Sequence, residues 1–299
     1  MILLPDQMFR GAYTPLLTPF RNGRVDHGAF AAFVDWQIKN GADGLVVGGT
    51  TAEPLSLTVT ERKDLLRIAI DITRSRVPVI AATGAASYAD TIALTEHASA
   101  MGAAASLVFT PLYAKPTPHG LVNYFTGIAE VTSRPFMLYQ IPSRTTSAAS
   151  LDTCRRIAEI APHFIGMKQS ANDREFVRGA IEMLGPEFRV FMGLSEIAWD
   201  MLGNGASGLI VALSNILPGV VARIFDLAST GQFDQAEETH TQIAALNQLA
   251  FAETNPIPVK YMAWRMGLIP TLEYRMPLGP PSEHVIDQID EALAALNLI

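Results

Sequence analysis

One lysine of this chain ends a strand-like apolar run, in FIGMK (residues 164–168). A buried ammonium is costly unless it is paired or neutral, so Lys168 needs a chemical reason to stand there. An amine at this position loses part of its hydration, which favours its neutral form and makes it a nucleophile that forms a Schiff base with a ketone. The alternative is a structural lysine that pairs with a carboxylate such as Glu53.

Two further polar residues lie close to the end of the preceding apolar run, PFMLYQ. Tyr139 is placed to carry protons to and from an imine, although an isolated tyrosine is also compatible with a core position and a satisfied hydroxyl. Arg144 follows Pro142 in loop-like sequence. It either clamps the carboxylate of a second substrate through two hydrogen bonds or remains solvated.

An earlier run ends in GGTTAEP, residues 48–54. The glycines let the backbone amides and the hydroxyls of Thr50 and Thr51 approach a small carboxylate closely, as anion-binding turns do. Glu53 has two interpretations: a hydrogen-bond acceptor that fixes this loop, or a negative charge at a helix N-terminus, which the sequence slightly favours. The histidines are dispersed and lack paired spacing, so we expect no metal site.

The elements that must position these residues alternate along the chain. From Gly11, short apolar runs and longer segments of helical period repeat about eight times, which is the number that closes a parallel barrel. The pattern therefore predicts an α/β fold, a (β/α)8 TIM barrel, with polar residues converging at the carboxyl ends of the strands. A doubly wound open sheet is the alternative, but neither nucleotide-binding glycine motif supports it.

Helical sequence without strand signals follows Gly231, so we predict two domains: a barrel that carries the active site (1–230) and a small C-terminal helical domain (231–299). No membrane span and no signal peptide are expected, which favours the cytoplasm. A net charge of −7 without a basic stripe argues against nucleic acid, so small molecules are the expected partners. The single cysteine, Cys154, is interpreted as an ordinary buried thiol.

Five motifs occur together and in order: GTTAEP, TPLY, YQIPSRT, GMK and NPIPVK. In this combination the chain resembles the dihydrodipicolinate synthase and N-acetylneuraminate lyase family along essentially its whole length. It is closest to the synthase branch, because the lyases lack the arginine of PSRT. The resemblance implies the barrel with a C-terminal helical domain, usually a homotetramer, that acts on pyruvate as a Schiff-base lyase without a cofactor.

The resemblance also assigns catalytic roles by position. Lys168 matches the lysine that forms the imine, which favours chemistry over a structural role. Tyr139 matches the tyrosine that transfers protons at the imine, and Thr50 matches the hydroxyl that links it to a second tyrosine. Tyr113, in TPLY, matches that second tyrosine, which in the family reaches into the active site of the neighbouring subunit.

The remaining assignments concern substrate binding. Thr51 matches the residue that holds the pyruvate carboxylate, and Ile210 matches a residue whose backbone carbonyl faces the lysine. Arg144 matches the arginine that receives the carboxylate of aspartate semialdehyde. With Glu53 in the loop that carries Thr51, these residues form the predicted substrate-binding set.

The chain departs from the family pattern at three positions near the site. Ala52 replaces the glycine of GTTGE, Gln140 replaces an asparagine, and Thr146 replaces the glycine after PSRT. These changes leave the aldehyde open. The leading hypothesis is condensation of pyruvate with aspartate 4-semialdehyde to 4-hydroxy-tetrahydrodipicolinate, as in lysine biosynthesis. The alternatives are another pyruvate-dependent aldolase or dehydratase that acts on a sugar-acid or other aldehyde, and a non-catalytic binding or regulatory paralogue.

Feedback-inhibited synthases bind lysine through polar residues at the dimer interface. At those positions this chain has Val59, Ala86 and Leu112. We therefore predict that lysine does not inhibit the protein.

Overall fold

The strands of this protein are short apolar segments, and most are buried from end to end, as parallel strands covered by helices must be. The computed structural model describes residues 8–194 and 197–299, without the side chains of residues 199 and 200. The strands are β1 (Gly11–Pro15), β2 (Phe20–Arg21), β3 (Arg24–Val25), β4 (Gly44–Val47), β5 (Val79–Ala82), β6 (Ala105–Phe109), β7 (Phe136–Gln140), β8 (Phe164–Gln169), β9 (Arg189–Met192) and β10 (Gly208–Leu209).

Helices follow most barrel strands and continue to the C-terminus. They are α1 (His27–Lys39), α2 (Val59–Thr73), α3 (Tyr88–Met101), α4 (Pro118–Glu130), α5 (Pro142–Thr145), α6 (Leu151–Ile160), α7 (Arg174–Leu184), α8 (Ala198–Gly203), α9 (Pro218–Ser229), α10 (Phe233–Leu249), α11 (Ile257–Arg265) and α12 (Glu283–Ala295).

Eight strands form one closed parallel barrel in the order β1-β10-β9-β8-β7-β6-β5-β4. This order confirms the predicted (β/α)8 class, and the alternative of an open sheet was wrong. Helices α10, α11 and α12 are the predicted C-terminal helices, whereas a domain boundary at residues 230/231 stays a prediction. No helix in the described part of the chain is both long and apolar enough to cross a membrane.

Side-chain caps explain why the helices begin where they do. Thr58 Oγ1 accepts from the Glu61 amide at 3.1 Å, and the Glu61 carboxylate accepts in return from the Thr58 amide at 2.9 Å, a capping box at the start of α2. Ser87, Thr117 and Ser150 each accept from the amide three residues on, at the starts of α3, α4 and α6.

Contacts between residues group the chain into two compact units. The first holds Pro78–Ile210 together with residues 8–11. Within it, the strand register places Tyr139 of β7 opposite Lys168 of β8, and Lys168 opposite Phe191 of β9. The two residues predicted to do the chemistry are therefore direct neighbours across adjacent strands.

The second unit holds Ala12–Val77 and Val211–Ile299. Here β1 pairs in parallel with β4, and β2 and β3 form an antiparallel hairpin. Asn22 and Gly23 join the hairpin strands with φ of 52° and 73°, the left-handed pair that a type I′ turn needs. The hairpin was missed in the sequence, although Asn-Gly was a usable signal.

Candidate active site

Lys168 and Tyr139 form the centre of the candidate site. The lysine is 6% exposed and the tyrosine 4%. Lys168 Nζ donates to Tyr139 Oη at 3.3 Å and lies 4.3 Å from the centroid of the tyrosine ring. The amine thus has a proton-carrying hydroxyl within hydrogen-bond distance, as acid–base work at an imine requires.

Gly193, which follows β9, leaves room for the lysine side chain. A Cβ at this position would lie 2.8 Å from Lys168 Cε and 1.9 Å from Ser170 Oγ, so any side chain would displace both of them. The Gly193 amide donates to the Gln169 carbonyl at 2.7 Å, which holds the backbone in place. Gly193 was not among the predicted site residues; its signal was a glycine immediately after a strand-like run.

The loop after β7 carries Arg144 on the short helix α5, where its side chain is exposed. Gln140 fixes this loop: its amide oxygen accepts from the Ala149 amide at 2.8 Å, and its amide nitrogen donates to the Ala149 carbonyl at 3.0 Å. Thr146 ends α5 with φ of 58°. That left-handed conformation suits glycine and strains a β-branched residue.

Two predicted residues of the same unit lie after other strands. Tyr113 follows β6 with φ of 62° and is 98% exposed. Ile210 follows β10, is buried, and donates its amide to the Met192 carbonyl at 2.9 Å.

Thr50 and Thr51 belong to the second unit, where β4 ends in a 3₁₀ turn over Thr50–Ala52. Thr51 is buried, and its Oγ1 accepts from Asn255 Nδ2 at 3.1 Å. Thr50 is half-buried. The turn presents two consecutive hydroxyl residues, as predicted, and the partner of Thr51 was not foreseen.

Glu53 follows this turn in the left-handed region, with φ of 57°. Its carboxylate accepts from Lys260 Nζ at 2.5 Å and from the Arg275 amide at 3.2 Å. Glu53 is also the N-cap residue of a 3₁₀ turn over Pro54–Ser56, although its side chain makes no cap hydrogen bond there. These two bonds agree with the interpretation of Glu53 as an acceptor that fixes the loop, and the lysine that pairs with Glu53 is Lys260 rather than Lys168.

Lys260 is the second buried lysine of the protein. Its side chain has no exposed surface, and its Nζ also lies 4.2 Å from the Phe20 ring centroid and 5.1 Å from that of Tyr274. Burial lowers the pKa of Lys260 to about 8, against the opposing effect of Glu53. The sequence placed Lys260 in a segment with a helical pattern, and that pattern does not reveal which face of the helix is buried.

Arg275 stabilises the same region through hydrogen bonds from its guanidinium group. Its guanidinium contacts both carboxylate oxygens of Glu61, at 2.6 and 2.9 Å, and donates to the carbonyls of Ser56 and Gly23. Hydrogen bonding from Arg275 lowers the pKa of Glu61 to about 2. This network joins the hairpin, the turns after β4 and the start of α2.

The predicted residues therefore fall into two groups. The first unit brings Lys168 and Tyr139 into contact and carries Arg144, Tyr113 and Ile210, and the second carries Thr50, Thr51 and Glu53. Cys154 is buried, and burial raises the pKa of its thiol to about 12, as an ordinary core thiol would show. Within residues 8–194 and 197–299, no cluster of His, Cys, Asp or Glu could hold a metal ion.

Known proteins resemble this chain over nearly its whole length. The model of the dihydrodipicolinate synthetase family matches residues 8–296. A 4-hydroxy-tetrahydrodipicolinate synthase from Persephonella marina is 38% identical over 271 residues, 91% of this chain and 92% of that protein.

Solved structures agree. Dihydrodipicolinate synthase from Aquifex aeolicus has a TM-score of 0.94 at 34% identity, with 97% of this chain and 98% of that chain covered. The chloride-inhibited synthase from Acinetobacter baumannii, complexed with pyruvate, has a TM-score of 0.93 at 35% identity, with 98% and 100% covered.

Proposed function

Because this chain belongs to the dihydrodipicolinate synthetase family, we propose that it condenses pyruvate with aspartate 4-semialdehyde through a Schiff base on Lys168. The product is 4-hydroxy-tetrahydrodipicolinate. The observation that carries the proposal is the buried Lys168 amine, with the Tyr139 hydroxyl 3.3 Å away. An enclosed amine beside a proton carrier has the components that imine chemistry needs.

The proposed reaction begins when the lone pair of Lys168 Nζ attacks the ketone carbon of pyruvate. Tyr139 delivers a proton to the departing oxygen, which leaves as water, and an imine remains. Loss of a proton from the pyruvate methyl group gives an enamine, whose terminal carbon attacks the aldehyde carbon of the second substrate. The amino group of that substrate then displaces Lys168 from the imine carbon, which closes the ring and frees the lysine.

Other residues bind and orient the substrates in this proposal. Thr51 holds the pyruvate carboxylate, and the Ile210 carbonyl faces the lysine. Arg144, exposed on α5, receives the carboxylate of the semialdehyde. Glu53 contributes by fixing the turn that carries Thr51, since both of its carboxylate oxygens accept hydrogen bonds from the protein.

We propose a homotetramer, in the cytoplasm, with Tyr113 of one subunit completing the proton path through Thr50 of its neighbour. A tyrosine that is 98% exposed and held in the left-handed region supports this role, because strained backbone positions of this kind cluster at functional sites. We also propose the domain division at residues 230/231. Light scattering of the wild type and of Tyr113→Phe tests the assembly: a monomer with full activity would contradict it.

A second candidate keeps the imine and changes the aldehyde. Thr146 favours it, because a side chain replaces glycine two residues after Arg144. Arg144→Ala separates the two candidates: turnover of aspartate 4-semialdehyde should fall sharply, and unchanged turnover would favour another acceptor. The third candidate, a non-catalytic paralogue, predicts no imine with any keto acid.

Lysine should not inhibit the protein, because Val59, Ala86 and Leu112 offer no side-chain hydrogen-bonding groups for its charged ends. Activity assays with and without millimolar lysine test this. Loss of turnover at millimolar lysine would contradict it.

The decisive experiment is borohydride reduction in the presence of pyruvate, followed by intact and peptide-resolved mass spectrometry. We expect one pyruvate-derived adduct, on the peptide that contains Lys168. Lys168→Ala should abolish the adduct, and Lys39→Ala, at an exposed lysine, should leave it unchanged. An adduct that persists in Lys168→Ala, or none in the wild type, would contradict the proposed function.

A further inference from the structure

We propose that Asn255 is a positioning residue for substrate binding: its side-chain amide orients the Thr51 hydroxyl so that the hydroxyl proton points to the substrate carboxylate. The inference rests on the proposed function, in which Thr51 binds the carboxylate of pyruvate. It adds a residue 204 positions away in the sequence to that site.

The geometry of the Thr51 hydroxyl carries the inference. A threonine hydroxyl has one proton to donate and can accept two hydrogen bonds. Asn255 Nδ2 donates to Thr51 Oγ1 at 3.1 Å, so the hydroxyl proton must point elsewhere. In the described part of the chain, the Thr51 hydroxyl donates to no protein group.

Burial makes that proton significant. Thr51 is 2% exposed, and a buried donor without an acceptor is costly. A carboxylate accepts hydrogen bonds without donating any, so it matches a site that offers an oriented hydroxyl proton. Because the Asn255 amide donates to the Thr51 oxygen, the Thr51 hydroxyl proton is directed to a ligand that accepts a hydrogen bond.

A second contact from the same segment holds the turn still. Lys260, five residues after Asn255, contacts Glu53, two residues after Thr51, at 2.5 Å. The segment 255–260 therefore fastens the 51–53 turn at two points, through Thr51 and through Glu53. This arrangement gives the NPIPVK motif a physical reason to accompany GTTAE in one sequence.

The kind of group at residue 255 also matters, because an amide can donate a hydrogen bond to the Thr51 hydroxyl. An aspartate there would have nearly the same shape, but its carboxylate only accepts hydrogen bonds. It would therefore take the Thr51 proton for itself. Its negative charge would also repel a substrate carboxylate.

The test is a double-variant cycle on pyruvate binding. For N255A, T51V and the double variant, the pyruvate concentration that half-saturates the borohydride-trapped adduct is measured by intact mass. T51V loses the hydrogen bond to the charged carboxylate, and N255A loses the contact that orients the hydroxyl for that bond, so a rise of roughly tenfold is expected for each single variant. The double variant should match T51V alone, because Asn255 acts through the threonine hydroxyl. N40A, which removes an exposed amide that donates to the Trp36 carbonyl, is the matched control and should not change half-saturation.

Each outcome is decisive. Unchanged half-saturation in N255A, or a double variant whose two effects multiply, would overturn the inference. If N255A does not fold, N255D replaces it, and wild-type half-saturation in N255D would overturn the inference equally. A wild type that forms no adduct removes the proposed function and the inference together, whereas a wild-type adduct with an unresponsive N255A removes the inference alone.

Discussion

Replacing Lys260 by methionine should strongly destabilise the protein. The substitution removes the ammonium and keeps a long apolar side chain, so packing changes little while Glu53 loses its charged partner. The two side chains are 0% and 1% exposed, and their charged atoms are 2.5 Å apart. In Lys260→Met, the Arg275 amide is the one group within residues 8–194 and 197–299 that still donates to the Glu53 carboxylate.

The magnitude follows from this burial. Breaking a fully buried ion pair by removing one partner costs about 3–5 kcal/mol, because the other charge stays uncompensated. At about 2–3 °C per kcal/mol for a chain of this size, the melting temperature should fall by about 6–15 °C. Glu53→Gln should cost less, because Lys260, whose pKa is already lowered to about 8, can shed its proton.

Thermal unfolding followed by circular dichroism at neutral pH measures the shift. Lys39→Met is the matched control, because Lys39 pairs with Asp35 at 2.7 Å on the surface and its side chain is 69% exposed. The melting temperature of Lys39→Met should remain near that of the wild type. The double variant with Glu53→Gln should recover a large part of the loss. A Lys260→Met protein that melts within about 2 °C of the wild type would refute the reasoning.

Three further predictions concern other groups of the molecule. The pKa of Glu61 is lowered to about 2 in the folded protein, so its carboxylate adds stability that is full above about pH 4.5 and is lost as the pH falls toward 2. After allowance for solvent screening, this contribution to the free energy of unfolding is about 1–2 kcal/mol. Glu61→Gln should therefore make the melting temperature depend less on pH in that window. An unchanged dependence of the melting temperature on acidic pH would contradict the assignment. Thr146→Gly should relieve left-handed strain and raise the melting temperature by about 1–3 °C, measured by calorimetry, with a decrease as the contrary result. Tyr139→Phe should lower kcat by about a hundredfold or more in steady-state assays while Lys168 still forms a trapped adduct, and full turnover would exclude Tyr139 as the proton carrier.

The fold could be predicted from the sequence because the apolar runs and the residues that begin helices indicated the same strands and helices. Apolar runs such as the one ending at Lys168 are buried strands, and residues such as Thr58 and Ser87 begin the helices that follow. The contact between Lys168 and Tyr139 also followed from local sequence. Residues at the ends of consecutive parallel strands are brought together by the strand register alone.

The remaining contacts of the site depend on distant parts of the chain. Asn255 and Lys260 reach the 51–53 turn across more than 200 residues, and no local pattern encodes that approach. Helical periodicity placed Lys260 on a helix without showing that its face is buried. The ion pair of Glu53 was not predicted for the same reason, because its partner lies on that helix.

The two hydrogen bonds that segment 255–260 makes to the 51–53 turn also have a consequence for protein synthesis. The ribosome completes the 51–53 turn early, but both groups that hold it belong to the last fifth of the chain. A nascent or prematurely terminated polypeptide that stops at residue 230 would carry every one of Lys168, Tyr139 and Thr51, yet lack the amide and the ammonium that fix the threonine. Nonsense mutations before residue 255 should therefore weaken pyruvate binding even where the strands still assemble.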